Sequence, residues 1–348
     1  MRGLAAAGAA CSDTGRVREV NEDRVLVLEH AGRGAALYVV ADGLGGHAAG
    51  SVASALAVQV LRATVPALLA ARVPPQEALI RAVRDANDEI RERATDPDRA
   101  GMATTCTALL CIGTEGLVVH VGDSRAYLLR GREIQQLTTD HSLVQELVRH
   151  GGVAPQDADA HAQRHVLTRA LGVEPDVQPD VLTVPLRSGD VFCLTSDGVS
   201  GAVPAEEIAA VLRGTPDAEA ACETLVGLAN ARGGLDNASA VVVRLRPRWA
   251  AVLARIAAPA ALAAFLAVGV GVYQLEHSYF LGVSGGRVAV MRGVPARVLG
   301  VSLFTLVRVT AVGIGQVAPA YRASLTQGIP VRSPDEAQNL LDDLVRRP

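Results

Sequence analysis

The stretch VVADGLGGHAAG, residues 39–50, sets the reading of this chain. Residues 37–41 are a short apolar run of the kind that makes a buried strand. The run stops at Asp42, and Gly43, Gly45 and Gly46 follow at once. A carboxylate at a strand end can point into a cleft, and glycines beside it let backbone groups approach an ion without Cβ clashes. His47 stands where a proton donor could reach whatever the ion holds, and a helix is predicted to begin near Ser51. Taken alone, the stretch reads equally well as a glycine turn with a solvated Asp.

Working outward, residues 6–10 and 25–30 read as strands around the polar loop SDTGRVREVNEDR. Residues 51–71 and 75–94 alternate with helical period, the second opening on Pro75 and Glu77. Residues 105–113, 116–121 and 124–129 read as a three-strand meander, and 141–151 as a short helix. Residues 152–172 have little periodicity, and irregular stretches of that length inside a domain are usually functional. A strand at 190–195, helices at 205–213 and 217–232, and a strand at 238–245 follow. This order is not the alternating βαβ of a doubly wound sheet. It predicts an α+β fold, a β-sandwich with helix pairs on its outer faces.

Carboxylates recur at turns beside small residues: Asn21-Glu22-Asp23, Asp42-Gly43, Gly122-Asp123-Ser124, Asp197-Gly198 and Asp236-Asn237. Each alone would be a solvated turn. Together, with no companion His or Cys cluster, they suggest an oxygen-lined site for hard divalent cations such as Mg²⁺ or Mn²⁺. Carboxylates brought together need metal charge, because their mutual repulsion otherwise raises their pKa values. Two ions a few ångströms apart can hold a water between them, acidify it and aim it at phosphorus.

Composition narrows the options. The chain has 348 residues, 49% of them hydrophobic, which is ample for a core plus an appendage. A net charge of −3 gives no bulk attraction to nucleic acid. There is no lysine, which excludes Schiff-base and P-loop lysine chemistry. Cys11, Cys106, Cys111, Cys193 and Cys222 show no CxxC spacing and read as buried free thiols of a reducing compartment. The opening MRGLAAAGAAC is too short an apolar stretch for a signal peptide.

Residues 256–275, IAAPAALAAFLAVGVGVYQL, are uncharged and about as long as a bilayer requires. Arg244, Arg246, Arg248 and Arg255 precede them, whereas arginine resumes only at Arg287 on the far side. The positive-inside bias therefore predicts a single-pass membrane protein with its N-terminal part in the cytoplasm and its C-terminal part outside. The expected division is a catalytic domain over 1–246, a short linker over 247–255, the span over 256–275 and a small extracytoplasmic α/β unit over 276–348. In that last unit, 280–283 and 287–291 read as a hairpin about SGG, and Ser333-Pro-Asp-Glu336 as the start of a final helix.

SDTGRVREVNED, VADGLGGHAAG, GMATT, VGDSRAYLLR, TTDHSLVQELV, VLTRALG, LTSDGVSG and GGLDNAS follow one another over residues 5–245 in the order of the type-2C, metal-dependent Ser/Thr protein phosphatases, the PPM family. The chain resembles that family, whose fold is an antiparallel β-sandwich flanked by helix pairs. The resemblance implies hydrolysis of protein phosphoserine and phosphothreonine by direct attack of a metal-bridged hydroxide. By motif position it implies that Asp42 bridges two Mn²⁺ or Mg²⁺ ions and Gly43 offers its carbonyl to one. It assigns Asp197 and Asp236 to the first ion, Glu22 to the second, and Asp123 with Asp197 to a third, weaker site. Arg18 resembles the arginine that binds substrate phosphate, where a guanidinium fork suits two oxygens. His47 matches the general acid that protonates the leaving seryl or threonyl oxygen. Asp23 is expected to support its loop and Asn237 to orient Asp236. His141, His161 and His165, in and beside the irregular flap, are expected to be surface or structural.

Bacterial members with one span and an outer domain resemble the whole layout, which implies membrane Ser/Thr protein kinases of the PASTA-bearing type as phosphoprotein partners. Gly50-Ser51 stands where those enzymes usually have Gly-Glu, and Ala103 where Gly is common; neither change removes an expected ligand. DGLGG also resembles the glycine box of GHKL-type ATPases, but Asp197 and Asp236 have no place in that fold. A haloacid-type phosphatase needs a DxDx(T/V) motif that the chain lacks. A membrane-anchored pseudophosphatase acting as scaffold or sensor would show a lost metal aspartate, and all are present.

Overall fold

The computed structural model describes residues 4–45, 49–154, 157, 161–163, 165–298 and 301–346. They divide into two units, 1–251 and 252–348.

The first unit begins with β1 (Leu4–Asp13), β2 (Arg24–Leu28), β3 (Ala36–Ala41) and the two-residue β4 (Gly43–Leu44). Helices α1 (Ala49–Ala70) and α2 (Pro75–Arg93) follow, then β5 (Ala103–Thr104), β6 (Cys106–Ile112), β7 (Glu115–Val121), β8 (Arg125–Arg130) and β9 (Glu133–Gln136). After α3 (Leu143–Arg149) come β10 (Asp180–Pro185), β11 (Val191–Thr195), the single turn α4 (Asp197–Ser200), α5 (Ala205–Gly214), α6 (Ala218–Ala231) and β12 (Ala238–Pro247). One antiparallel sheet runs β1-β12-β11-β8-β9 and the other β10-β7-β6-β3-β2.

Period-two patterning explains the layers. On β3, Leu37, Val39 and Ala41 pack with α1 and α2, while Ala36, Tyr38 and Val40 pack between the sheets. On β12, Ala240 and Val242 pack with α5 and α6, while Val241, Val243 and Leu245 enter the core between the sheets. Both faces of these strands are buried, so they read as continuous apolar runs. The result is the four-layer sandwich with outer helix pairs expected above. The thiols of Cys106, Cys111, Cys193 and Cys222 are free and buried, and that of Cys11 is free and half-buried.

Besides the short β4, β5 and α4, two strands escaped the sequence reading. β9 is a four-residue, mostly exposed strand, and β10 lies at a sheet edge with an exposed pattern ending in Pro185. Neither carries an apolar run or a clean alternation.

Residues 248–255, expected as a linker, are instead the opening turns of α7 (Arg248–His277). Among the described residues two helices are long and apolar enough to cross a membrane, 49–70 and 259–277. The first is α1, packed on its sheet, whereas none of the apolar window in 259–277 is buried.

The second unit carries β13 (Tyr279–Ser284), β14 (Arg287–Val298), β15 (Val301–Gly313), α8 (Pro319–Gln327), β16 (Ile329–Val331) and α9 (Pro334–Arg346), with sheet order β15-β14-β13-β16. Leu281, Val290, Leu325 and Leu341 anchor its separate core. The hairpin about Gly285 and Gly286 and the capped last helix match the sequence reading. Ser333 Oγ accepts the Glu336 N–H at 3.1 Å, and Glu336 Oε2 accepts the Arg332 N–H at 2.6 Å. β15, α8 and β16 were not read from the sequence.

Candidate metal centre

Asp42 leaves the end of β3 with its backbone held on both sides. Its N–H donates to Thr105 Oγ1 at 2.9 Å, and its carbonyl accepts from Thr104 Oγ1 and the Thr105 N–H, both at 2.8 Å. These threonines belong to GMATT, so that motif is the clamp on the central aspartate. Thr105 Oγ1 also lies 2.7 Å from Ser124 Oγ, which ties the Asp42 turn to the Asp123 turn. Gly43 follows because nothing larger fits: a Cβ there would overlap the Gly50 carbonyl and stand 2.6 Å from the Glu22 carbonyl oxygen. Gly122 takes φ +111° to turn the chain towards Asp123, with Thr105 packed against it. The Gly122 N–H donates to His141 Nδ1 at 3.1 Å, so buried His141 is structural, as expected.

A second set of bonds fixes Glu22, Asp197 and Asp236. Ser54 Oγ on α1 donates to the Glu22 carbonyl. Asn237 accepts the Glu22 N–H through Oδ1 at 2.8 Å and donates through Nδ2 to the carbonyls of Thr14 and Val20 at 2.9 and 3.0 Å. Asn237 orients Asp236 through its backbone, whose N–H donates to Asp236 Oδ1 at 2.8 Å. Asp23 is buried, and its Oδ2 accepts from Ser196 Oγ at 2.7 Å, beside Asp197 at the start of α4. Asp23 therefore ties its own loop to the turn that opens α4.

Arg18, Glu22, Asp42, Gly43, Asp123, Asp197, Asp236 and Asn237 line one cavity of about 350 Å³. His47 lies outside the described residues. The cavity gains one residue that the sequence reading set aside. His165 lines it too, with Nδ1 3.4 Å from Asp197 Oδ2. Nothing in its local sequence marks it, because only the fold of the irregular segment brings it over Asp197.

The electrostatics are those of crowded carboxylates. Burial, and then the neighbouring Asp23, Asp197, Asp123 and Asp236, push the Asp42 carboxyl well above its ordinary range. Burial with Asp197 and Asp140 raises Asp123 to about 8, and burial chiefly raises Asp23 to about 6. Arg18 Nη2 answers part of this charge at 2.8 Å from Asp236 Oδ2, and that pair raises the arginine's own pKa. Among the described residues no three His, Cys, Asp or Glu side chains close into a finished ligand cage. The carboxylates lining the cavity nonetheless suit hard cations, which keep several waters and are held by few direct protein ligands.

Known proteins share this sequence and this fold. Residues 8–267 match the family described as Protein phosphatase 2C. The chain is 37% identical over 243 residues to Protein phosphatase PhpP of Streptococcus pneumoniae serotype 2, covering 67% of this chain and 95% of that one. It is 41% identical over 238 residues to Serine/threonine protein phosphatase PstP of Mycobacterium tuberculosis, covering 67% of this chain and 44% of that one. The crystal structure of the Mycobacterium tuberculosis phosphatase PstP/Ppp superposes with TM-score 0.62 at 40% identity, covering 69% of this chain and 99% of that one. A catalytic-domain structure of PstP in complex with two manganese ions superposes with TM-score 0.61 at 38% identity, covering 70% and 99%. By these likenesses of sequence and fold, the chain belongs to the protein phosphatase 2C family, the Mn²⁺/Mg²⁺-dependent protein phosphatases.

Proposed function

We propose that this enzyme is membrane-anchored and dephosphorylates phosphoserine and phosphothreonine of cytoplasmic proteins, membrane Ser/Thr kinases among them. The observation that carries the reaction is the single cavity gathering Arg18, Glu22, Asp42, Asp123, Asp197 and Asp236 from distant parts of the chain. When bound there, the ions supply charge neutralisation and an acidified water. Asp42, Asp197, Asp236 and Glu22 would hold them, with the Gly43 carbonyl, and Asp123 with Asp197 would hold a third. Arg18, half-exposed and paired with Asp236, would exchange that carboxylate for two phosphate oxygens. His47 would return a proton to the leaving oxygen.

Hydrolysis of p-nitrophenyl phosphate and of a phosphothreonine peptide with added Mn²⁺ tests the reading, with Asp42→Ala as control. No turnover by the parent chain would place it with the pseudophosphatases instead.

The anchor rests on the apolar, unburied segment 259–277 and the arginines before it. Membrane fractionation of the full chain and of a variant lacking 256–275 checks it: the first should sediment with membranes and the second should not. A phosphoproteome comparison with and without the gene should show kinase phosphosites rising when the enzyme is absent.

A further inference from the structure

The metal cleft adjoins a larger cavity of about 560 Å³, and Asp123, His165, Asp197 and Asp236 line both. Away from those shared residues its lining is mixed, with Val144, Ala202, Ala229 and Leu235 standing among polar and charged side chains. Leu235 is 71% exposed, immediately before Asp236. Its loop is held in place, because the Gly234 carbonyl accepts the N–H groups of Arg16 and Val17 at 2.7 and 3.2 Å.

The cavity's two arginines are already engaged. Arg125 forks onto Asp140 at 2.7 to 3.1 Å. Arg232 donates to Glu207 Oε2 and to the Ala202 carbonyl, both at 2.7 Å. An acidic side chain entering here finds both guanidinium groups committed and several carboxylates nearby, so the cavity does not suit a second phosphate or an acidic residue. Leu235 is the exposed aliphatic side chain in this otherwise largely polar lining, and it offers an apolar contact to an entering side chain.

We propose that this cavity is a substrate subsite for an aliphatic side chain two residues from the phosphorylated Ser or Thr, with Leu235 as its specificity-determining contact. The inference rests on the phosphatase reading. In an extended peptide, residues i and i+2 point to the same side roughly 7 Å apart, so with the phosphate in one cavity a neighbour two residues away would face the adjoining one.

The test uses the full, manganese-loaded chain in mild detergent and a set of phosphothreonine peptides. The peptides differ only in Leu, Gly or Glu two residues before or after the phosphothreonine. p-Nitrophenyl phosphate is run beside them. The Leu peptide should show kcat/KM about tenfold above the Gly and Glu peptides, carried by KM. In Leu235→Asp that preference should shrink to about twofold or less. Equal values across the set in the parent chain, or full preference retained by Leu235→Asp, would overturn the subsite while leaving the phosphatase reading intact. Failure to hydrolyse p-nitrophenyl phosphate and every peptide would overturn the phosphatase reading instead. If Leu235→Asp does not fold, the parent's peptide series decides alone.

Discussion

Asn237 and Glu22 lie 215 positions apart in sequence, yet the Glu22 N–H donates to Asn237 Oδ1 at 2.8 Å. The same amide group donates to the carbonyls of Thr14 and Val20, so one side chain carries the loop that presents both Arg18 and Glu22. Replacing it by alanine removes three bonds from a buried side chain. Asn237→Ala should cost about 1–3 kcal/mol of stability for the polar groups left unpaired. It should also raise the Mn²⁺ concentration for half-maximal activity by about tenfold or more. Urea titration and a metal titration of p-nitrophenyl phosphate hydrolysis measure the two effects.

Burial and four neighbouring aspartates disfavour the charged form of Asp42, and a bound cation would offset both. Asp42→Asn should leave the metal-free protein as stable as the parent chain or more so at pH 7.5. The rise in melting temperature on adding Mn²⁺, which follows from binding to the folded state alone, should shrink to near zero. Differential scanning calorimetry with EDTA or Mn²⁺ checks both. Asp236→Asn should fold and lose activity by orders of magnitude.

Thr105 is the shared member of the clamp on Asp42 and the bridge to Ser124. Valine keeps its shape and removes the hydroxyl. Thr105→Val should destabilise the catalytic unit by about 1–3 kcal/mol and lower kcat more than KM. Thr105→Ser should restore most of both, and chemical denaturation with steady-state kinetics distinguishes the three proteins.

His120 supplies a pH dependence away from the carboxylates. It is buried, its Nδ1 faces Thr107 Oγ1 at 2.9 Å and its Nε2 donates to the Thr139 carbonyl at 3.1 Å. Burial, then the neighbouring His141, lowers its pKa to about 3. The unfolded chain therefore binds a proton below about pH 6.5 that the folded chain refuses down to about 3. Its contribution is complete above pH 6.5 and declines as pH falls, by up to about 1.4 kcal/mol per pH unit. Urea midpoints of His120→Gln should fall less steeply than those of the parent chain over that window. Parallel slopes would show that His120 is not the titrating group.

The strands were legible where both faces are buried, as in β3, β6 and β12, because continuous apolar runs between turn residues leave one solution. Helices α1, α2, α5 and α6 and the cap at Ser333 were legible because helical period and capping chemistry are local. β9 and β10 were not, since both are mostly exposed and carry no apolar run or clean alternation.

The sequence by itself determined the family and the metal class and nominated the acidic residues, because turn chemistry and motif order are written in adjacent residues. Only the tertiary structure decided how those residues are held. Thr104 and Thr105 clamp Asp42, Asn237 carries the Glu22 loop, and His165 faces Asp197 through contacts between segments far apart in the chain. Such bonds depend on where the sheets and loops meet in space, and no local spacing encodes that meeting.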